Sequence, residues 1–124
     1  MMTTHKDSAI NFLRMVISGK TKDAYAKHVS PNIIHHNAYF ASDPASLERG
    51  MQENHDQFPN KRFDIKHALE DVYFVAVHSH LTFKKGEPGM AVVHLFRFAG
   101  DKIAEMWDVG QQVPKDPVNV KGMF

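Results

Sequence analysis

Residues Asp101 to Pro114 read DKIAEMWDVGQQVP, and this stretch sets the chain's only tryptophan beside an acid. From Lys102 to Val109 the pattern alternates as in a strand, which predicts Ile103, Glu105, Trp107 and Val109 on one face and Ala104, Met106 and Asp108 on the other. One face thus carries an aromatic anchor, the other a lone carboxylate. If Ala104 and Met106 look into a closed apolar space, Asp108 looks into it too, and desolvation moves a carboxyl group toward the range in which it can shuttle protons. A residue of this type at a strand end can equally cap the following turn through its side chain. The stretch alone supports both readings.

Working outward, Met90 to Phe98 is a second β-rich run, with Val92, His94, Phe96 and Phe98 on one face and Val93, Leu95 and Arg97 on the other. The hairpin loop decides which faces match. A two-residue loop sets Arg97 near Ala104, whereas a three-residue or bulged loop sets His94 opposite Asp108 and Arg97 opposite Glu105. The bulged form is preferred, because it also gathers Val92, Phe96, Ala104 and Met106 around the acid. Further back, Val72 to Phe83 forms a long run in which Phe74, Ala76, His78 and His80 share a face. Two histidines two apart on a strand can share a metal, and with His94 and Asp108 nearby a mononuclear site is a third-ranked reading. HxH alone is not a diagnostic spacing. Phe63, Ile65, His67 and Leu69 alternate with Arg62, Asp64 and Lys66 in a half-exposed strand, and turns are predicted at Glu70-Asp71, Lys84 to Gly89 and Gly100-Asp101.

Before Pro59-Asn60 the period is near 3.6. Ala9, Ile10, Phe12, Leu13, Val16 and Ile17 make an amphipathic helix over residues 5–18, with Thr4 as cap and Gly19 as stop. Thr21 is read as the cap of a short second helix that places Ala24, Tyr25, His28 and Val29 on one face and ends at Ser30-Pro31, with His28 against the terminal carbonyls. Asn32 to Phe40 is then a short extended segment in which His35 and His36 point in opposite directions. Asp43-Pro44 starts a third helix carrying Leu47, Met51 and Phe58. His5, His55 and His67 are assigned to the surface. Three helices followed by four antiparallel strands predict an α+β fold with the helices on one face of the sheet.

Composition narrows the function. The chain of 124 residues is read as one domain, helices over about 5–58, sheet over about 61–110 and a tail at 115–124. A net charge of +1 gives no reason to invoke nucleic acid or an anionic membrane. There is no cysteine for disulfide or thiolate chemistry, MMTTHKDS has no apolar signal core, and no apolar run reaches the length of about 18 residues that spans a membrane. The expected compartment is the cytoplasm. Nine histidines are the one oddity.

These residues resemble a known family. His36-Asn37 before the third helix, Phe96-Arg97 before the last hairpin, Trp107-Asp108, then Gln111 and Pro114 occur in the order seen in the SnoaL-like branch of the nuclear transport factor 2-like, or ketosteroid isomerase-like, superfamily. The resemblance covers nearly the whole chain. Two positions depart from it: Ala38 stands where the branch usually has proline, and His94 where it often has an acid. The resemblance implies a cone-shaped α+β fold of the cystatin-like type, with a curved, mostly antiparallel sheet wrapping three helices around a deep apolar cavity. It also implies homodimers through the outer sheet face, where Trp107, Arg97 and Glu105 would lie. As a polyketide cyclase-like enzyme, the chain would use Asp108 for proton transfer next to a carbonyl, in isomerase or aldol-cyclase chemistry without a cofactor. His36 and His94 would orient the acid or bind the enolate oxygen, and Asn37, His78, His80, Phe96, Met106 and Gln111 would contact the small apolar or carbonyl-containing substrate. A non-catalytic binder of an apolar ligand is the competing reading. A buried His36–Asp108 pair that only ties the short segment to the last strand is another.

Overall fold

The computed structural model describes residues 3–124; Met1 and Met2, which open the segment read as lacking a signal core, lie outside the described residues. Helix α1 runs His5–Ile17, α2 Thr21–His28 and α3 Pro44–Gln57. The strands are β1 Val29–His35, β2 Arg62–Asp71, β3 Phe74–Thr82, β4 Met90–Ala99 and β5 Lys102–Gln112, in the order β1-β5-β4-β3-β2. Helix α1 opens on a capping box, in which Thr4 accepts from the Asp7 N–H and the Asp7 carboxylate accepts from the Thr4 N–H. It ends at Ser18, with Gly19 at φ 86°. Asp43 caps α3 by accepting from the Ser46 N–H at 3.0 Å, ahead of Pro44.

The sheet has five strands rather than the four expected. β1 lies between α2 and α3 in sequence and pairs in parallel with β5, while all other pairs are antiparallel. It starts at Val29, ahead of the predicted segment, and includes Pro31. An edge strand tolerates a proline because one of its sides has no ladder bond to lose.

Two bulges decide which side chains face the helices. Between β4 and β5, Arg97 pairs with Glu105 but Phe98 pairs with Ile103, so Ala104 is the extra residue. The bulged register is therefore the one adopted, and His94 lies opposite Asp108. The same bulge turns Ile103 inward, where it is fully buried, against the strict alternation that sets it beside Trp107. Between β2 and β3 the extra residue is Lys66. Phe63 and Ile65 stay on the inner face, but His67 and Leu69 pair with His78 and Ala76 on the outer one. The β2–β3 turn falls at Val72-Tyr73 rather than Glu70-Asp71, with Val72 at φ 50°.

The core joins Phe12, Leu13 and Val16 of α1, Ala24 and Tyr25 of α2 and Leu47 of α3 to Val75, Val77, Phe96, Phe98, Ile103 and Met106 of the sheet. Phe12 meets Tyr25 and Phe96 edge-on at 5.6 and 5.9 Å. Several smaller expectations change. Thr21 is the first residue of α2, buried, and caps nothing; His28 pairs with Asn11 at 2.6 Å rather than with helix-end carbonyls. His55 reaches the Ile17 carbonyl at 3.2 Å, and His5 bridges the carbonyls of Val72 and Gly100 while stacking on Phe98. Both are tethers between elements, not free surface residues.

Candidate functional site

The helices do not fill the concave side of the sheet completely. A cavity of about 560 Å³ remains between α1, α3, the segment Asn37–Phe40 and the inner faces of β2 to β5. Its wall is mainly apolar, with Leu13, Val16, Leu47, Met51, Phe63, Leu81 and Val92 prominent. Phe40 closes one side by lying on Gly50 of α3, so near that a Cβ at Gly50 would stand 2.3 Å from the ring. An interior helix glycine here serves close packing.

Polar groups enter the cavity at two ends. At the first, the Asp108 carboxylate accepts from Asn37 Nδ2 at 2.9 Å. Asn37 is itself fixed: its Oδ1 accepts from the Tyr39 N–H at 2.8 Å, and its own N–H donates to His35 Nδ1 at 3.2 Å. His35 Nε2 donates to the Ala41 carbonyl at 2.8 Å. This buried imidazole therefore spends both nitrogens on shaping the segment that presents Asn37 to Asp108. Across the β4–β5 pair stands His94, edge-on to Phe63 at 6.3 Å and stacked on Phe96 at 6.1 Å. Burial pushes its pKa down to about 4, with the nearby Asp108 charge opposing in part, so the ring is neutral at pH 7. His94 Nδ1 is sealed in the wall without a hydrogen-bond partner.

At the second end, Lys61 is nine-tenths buried and donates from Nζ to Asn54 Oδ1 at 2.5 Å. Both line the cavity. Burial holds the Lys61 amine below the usual lysine range.

The expected site residues divide by face. Asp108, His94 and Asn37 meet in the cavity wall. Phe96 and Met106 share their face but lie in the closed core behind the wall, 0% and 2% exposed. His36 is on the other side: it is 44% exposed, stacks on Trp107 at 5.0 Å and pairs with Glu105 at 2.6 Å, which Arg97 also binds at 3.0 Å. The His36 hydrogen bond, then that of Arg97, hold the Glu105 carboxyl below its ordinary range. A His36–Asp108 pair does not form. His78 and His80 are also on the outer face. His78 meets His67 with 3.0 Å between the Nδ1 atoms, and Phe124 stacks on His80 at 4.3 Å. The sheet thus stands between HSH and the His94–Asp108 pair, and among the described residues no three potential metal ligands converge. Gln111, opposite Ala91, follows the cavity-lining Gly110 and is exposed outside the cavity. His35, Asn54, Lys61 and the Gly50–Phe40 contact were not legible as site features. Only Gly50, a glycine inside a helical pattern, carried a usable signal.

The SnoaL-like domain family matches residues 9–106. No curated protein matches the sequence. Among solved structures, an uncharacterised cystatin-fold protein from Novosphingobium aromaticivorans superposes with a TM-score of 0.72 at 17% identity, over 87% of this chain and 99% of that one. A SnoaL-like polyketide cyclase from Agrobacterium tumefaciens gives 0.71 at 16% identity, over 89% and 93%. An NTF2-like protein of unknown function from Cytophaga hutchinsonii gives 0.71 at 12% identity, over 90% and 93%. Three helices on a five-stranded mixed sheet make the cone-like α+β fold of these structures, and with the family match over most of its length the chain belongs to the SnoaL-like domain family.

Proposed function

We propose that residues 1–124 act as one SnoaL-like domain that binds a small apolar carbonyl compound in the cavity and transfers a proton next to its carbonyl, with Asp108 as acid and base. The observation that carries this reading is an acid held by Asn37 and facing a neutral, half-buried histidine at one end of a mainly apolar cavity. Asn37 occupies Oδ2 and leaves Oδ1 for the substrate. Asp108 takes the proton from the carbon beside the carbonyl, which leaves an enolate, and returns it to carbon or leaves the enolate to attack a second carbonyl. His94 supports the developing oxyanion. With Nδ1 sealed in the wall, the reading puts its proton on Nε2, and a neutral imidazole donor of this kind stabilises an enolate without first losing a charge.

The test uses 1-tetralone in deuterium oxide. Wild-type protein is expected to speed exchange of the protons beside the carbonyl, and Asp108→Asn to remove the acceleration. Exchange at the buffer rate in the wild type, with the ketone bound, favours the non-catalytic binding reading. Outer-face residues Leu69, Phe74, Val93 and Val109 leave apolar surface exposed around Trp107, which supports homodimerisation through that face. Sedimentation equilibrium of the wild type beside Val109→Lys checks it.

A further inference from the structure

The second polar end of the cavity is not used by the chemistry above. Lys61 follows the Pro59-Asn60 turn and precedes β2, its side chain is nine-tenths buried, and its ammonium donates to Asn54 near the end of α3. Its partner is a neutral amide. Among the described residues no carboxylate lies within salt-bridge reach of Lys61. A buried ammonium with one neutral acceptor is poorly compensated, since desolvation is repaid in full only by an opposite charge with hydrogen bonds in place. The side chain nonetheless lines the cavity rather than the outer surface. Asn54, fixed at Oδ1 by Lys61, keeps its amide N–H groups for another acceptor. The pair therefore offers donors on two side chains, and what it lacks is an anion.

We infer that Lys61 and Asn54 form an anion subsite, and that the ligand is a carbonyl compound carrying a carboxylate or similar anionic oxygen at the end remote from its reacting carbon. The carbonyl rests on the proposed function; the anion subsite needs only that the cavity is the ligand site, not proton transfer by Asp108. The cavity's other charge is Asp108 itself, and the order β5-β4-β3-β2 sets three strand spacings, roughly 14 Å along the sheet, between the strands nearest the two groups. A ligand that spans the cavity meets Lys61 with its anion and keeps that anion away from the Asp108 carboxylate. An anion beside the reacting carbon is excluded by the same arrangement.

The probes are 2-naphthoate and 2-naphthalenemethanol, which share an apolar body and differ in charge, with binding measured by calorimetry at pH 7. Wild-type protein is expected to bind the carboxylate at least about 10-fold more tightly than the alcohol, the range of a charge-assisted hydrogen bond. Lys61→Met removes this preference while the alcohol binds within about 2-fold of wild type, and Lys61→Arg retains it. Lys61→Gln replaces the methionine variant if that one fails to fold. Asp108→Asn keeps or strengthens the preference, so loss of the proton-transfer reading in the deuterium experiment leaves this result standing. A wild-type protein that binds the carboxylate no better than the alcohol, or binds neither, overturns the inference, as does a preference that survives both Lys61→Met and Lys61→Gln.

Discussion

The two faces of the β4–β5 hairpin carry the same residue types and give them different chemistry. On the inner face His94 stands opposite Asp108; three residues along, on the outer face, Arg97 stands opposite Glu105 with His36 added. The outer carboxylate binds two basic partners at the surface, and that kind of pair contributes little and is screened by salt. The inner histidine is half-buried in the cavity wall and neutral, with Nδ1 sealed and unpartnered among the described residues, and the inner acid is held by an amide that leaves one oxygen open. Strand parity alone separates the two environments. A histidine near a carboxylate is therefore not a site by itself; the face decides.

Activity gives the widest contrast. Asp108→Asn is expected to lower the exchange rate by about 10²-fold or more, the usual contribution of a positioned acid or base, while Glu105→Gln leaves it nearly unchanged. Equal losses in the two variants would erase the distinction between the faces.

Acid stability comes next. The His94 ring resists protonation down to about pH 4, whereas an unfolded chain takes up that proton near pH 6.5. The unfolded state then binds more protons throughout this window, so stability falls as pH drops from 6.5 toward 4, by on the order of 3 kcal/mol in full. His94→Gln should flatten this part of the curve in urea melts. Glu105 acts lower down. Its depressed carboxyl contributes stability that is present above the ordinary carboxylate value of 4.5 and lost as pH falls through the lower folded value, so Glu105→Gln should leave the slope intact from pH 6.5 to about 5.5 and change it only below.

Gly50→Ala sharpens the boundary of the cavity. The helix gains about 1 kcal/mol from the better helix former, and pushing the far edge of the Phe40 ring aside costs about as much. Stability should stay within about 1 kcal/mol of wild type while affinity for 1-tetralone drops several-fold, because Phe40 is part of the wall. His36→Ala is the smallest case: a slight, salt-dependent change in melting temperature with exchange activity unaffected.

These contrasts mark what could be read in advance. The last hairpin was legible because the bulged register, unlike an unbulged two-residue loop, was expected to gather Val92, Phe96, Ala104 and Met106 on the face of Asp108, and His94 is found opposite Asp108 with Ala104 as the bulged residue. Helix ends at Thr4, Gly19 and Asp43-Pro44 were legible because their chemistry is local. The segment NIIHH was not, since two adjacent isoleucines followed by two adjacent histidines look the same in either parity. Burial of Ile33 and His35 fixes the parity, and it sends His36 outward. Pairing β1 with β5 is a long-range event that no local pattern encodes. The bulge at Lys66 moved His67 and Leu69 across the sheet, and a single extra residue leaves no mark in a run of alternating side chains. Lys61 escaped notice because a lysine after a turn is ordinary surface until the fold encloses it.

The most direct test of the central claim is an NMR titration of the protein with 1-tetralone, following the side-chain signals of Asp108, His94 and Asn37 beside those of Glu105, His36 and His78. The account predicts saturable shifts in the first three and none in the others. Shifts confined to the outer-face residues, or spread equally over both sets, would contradict it.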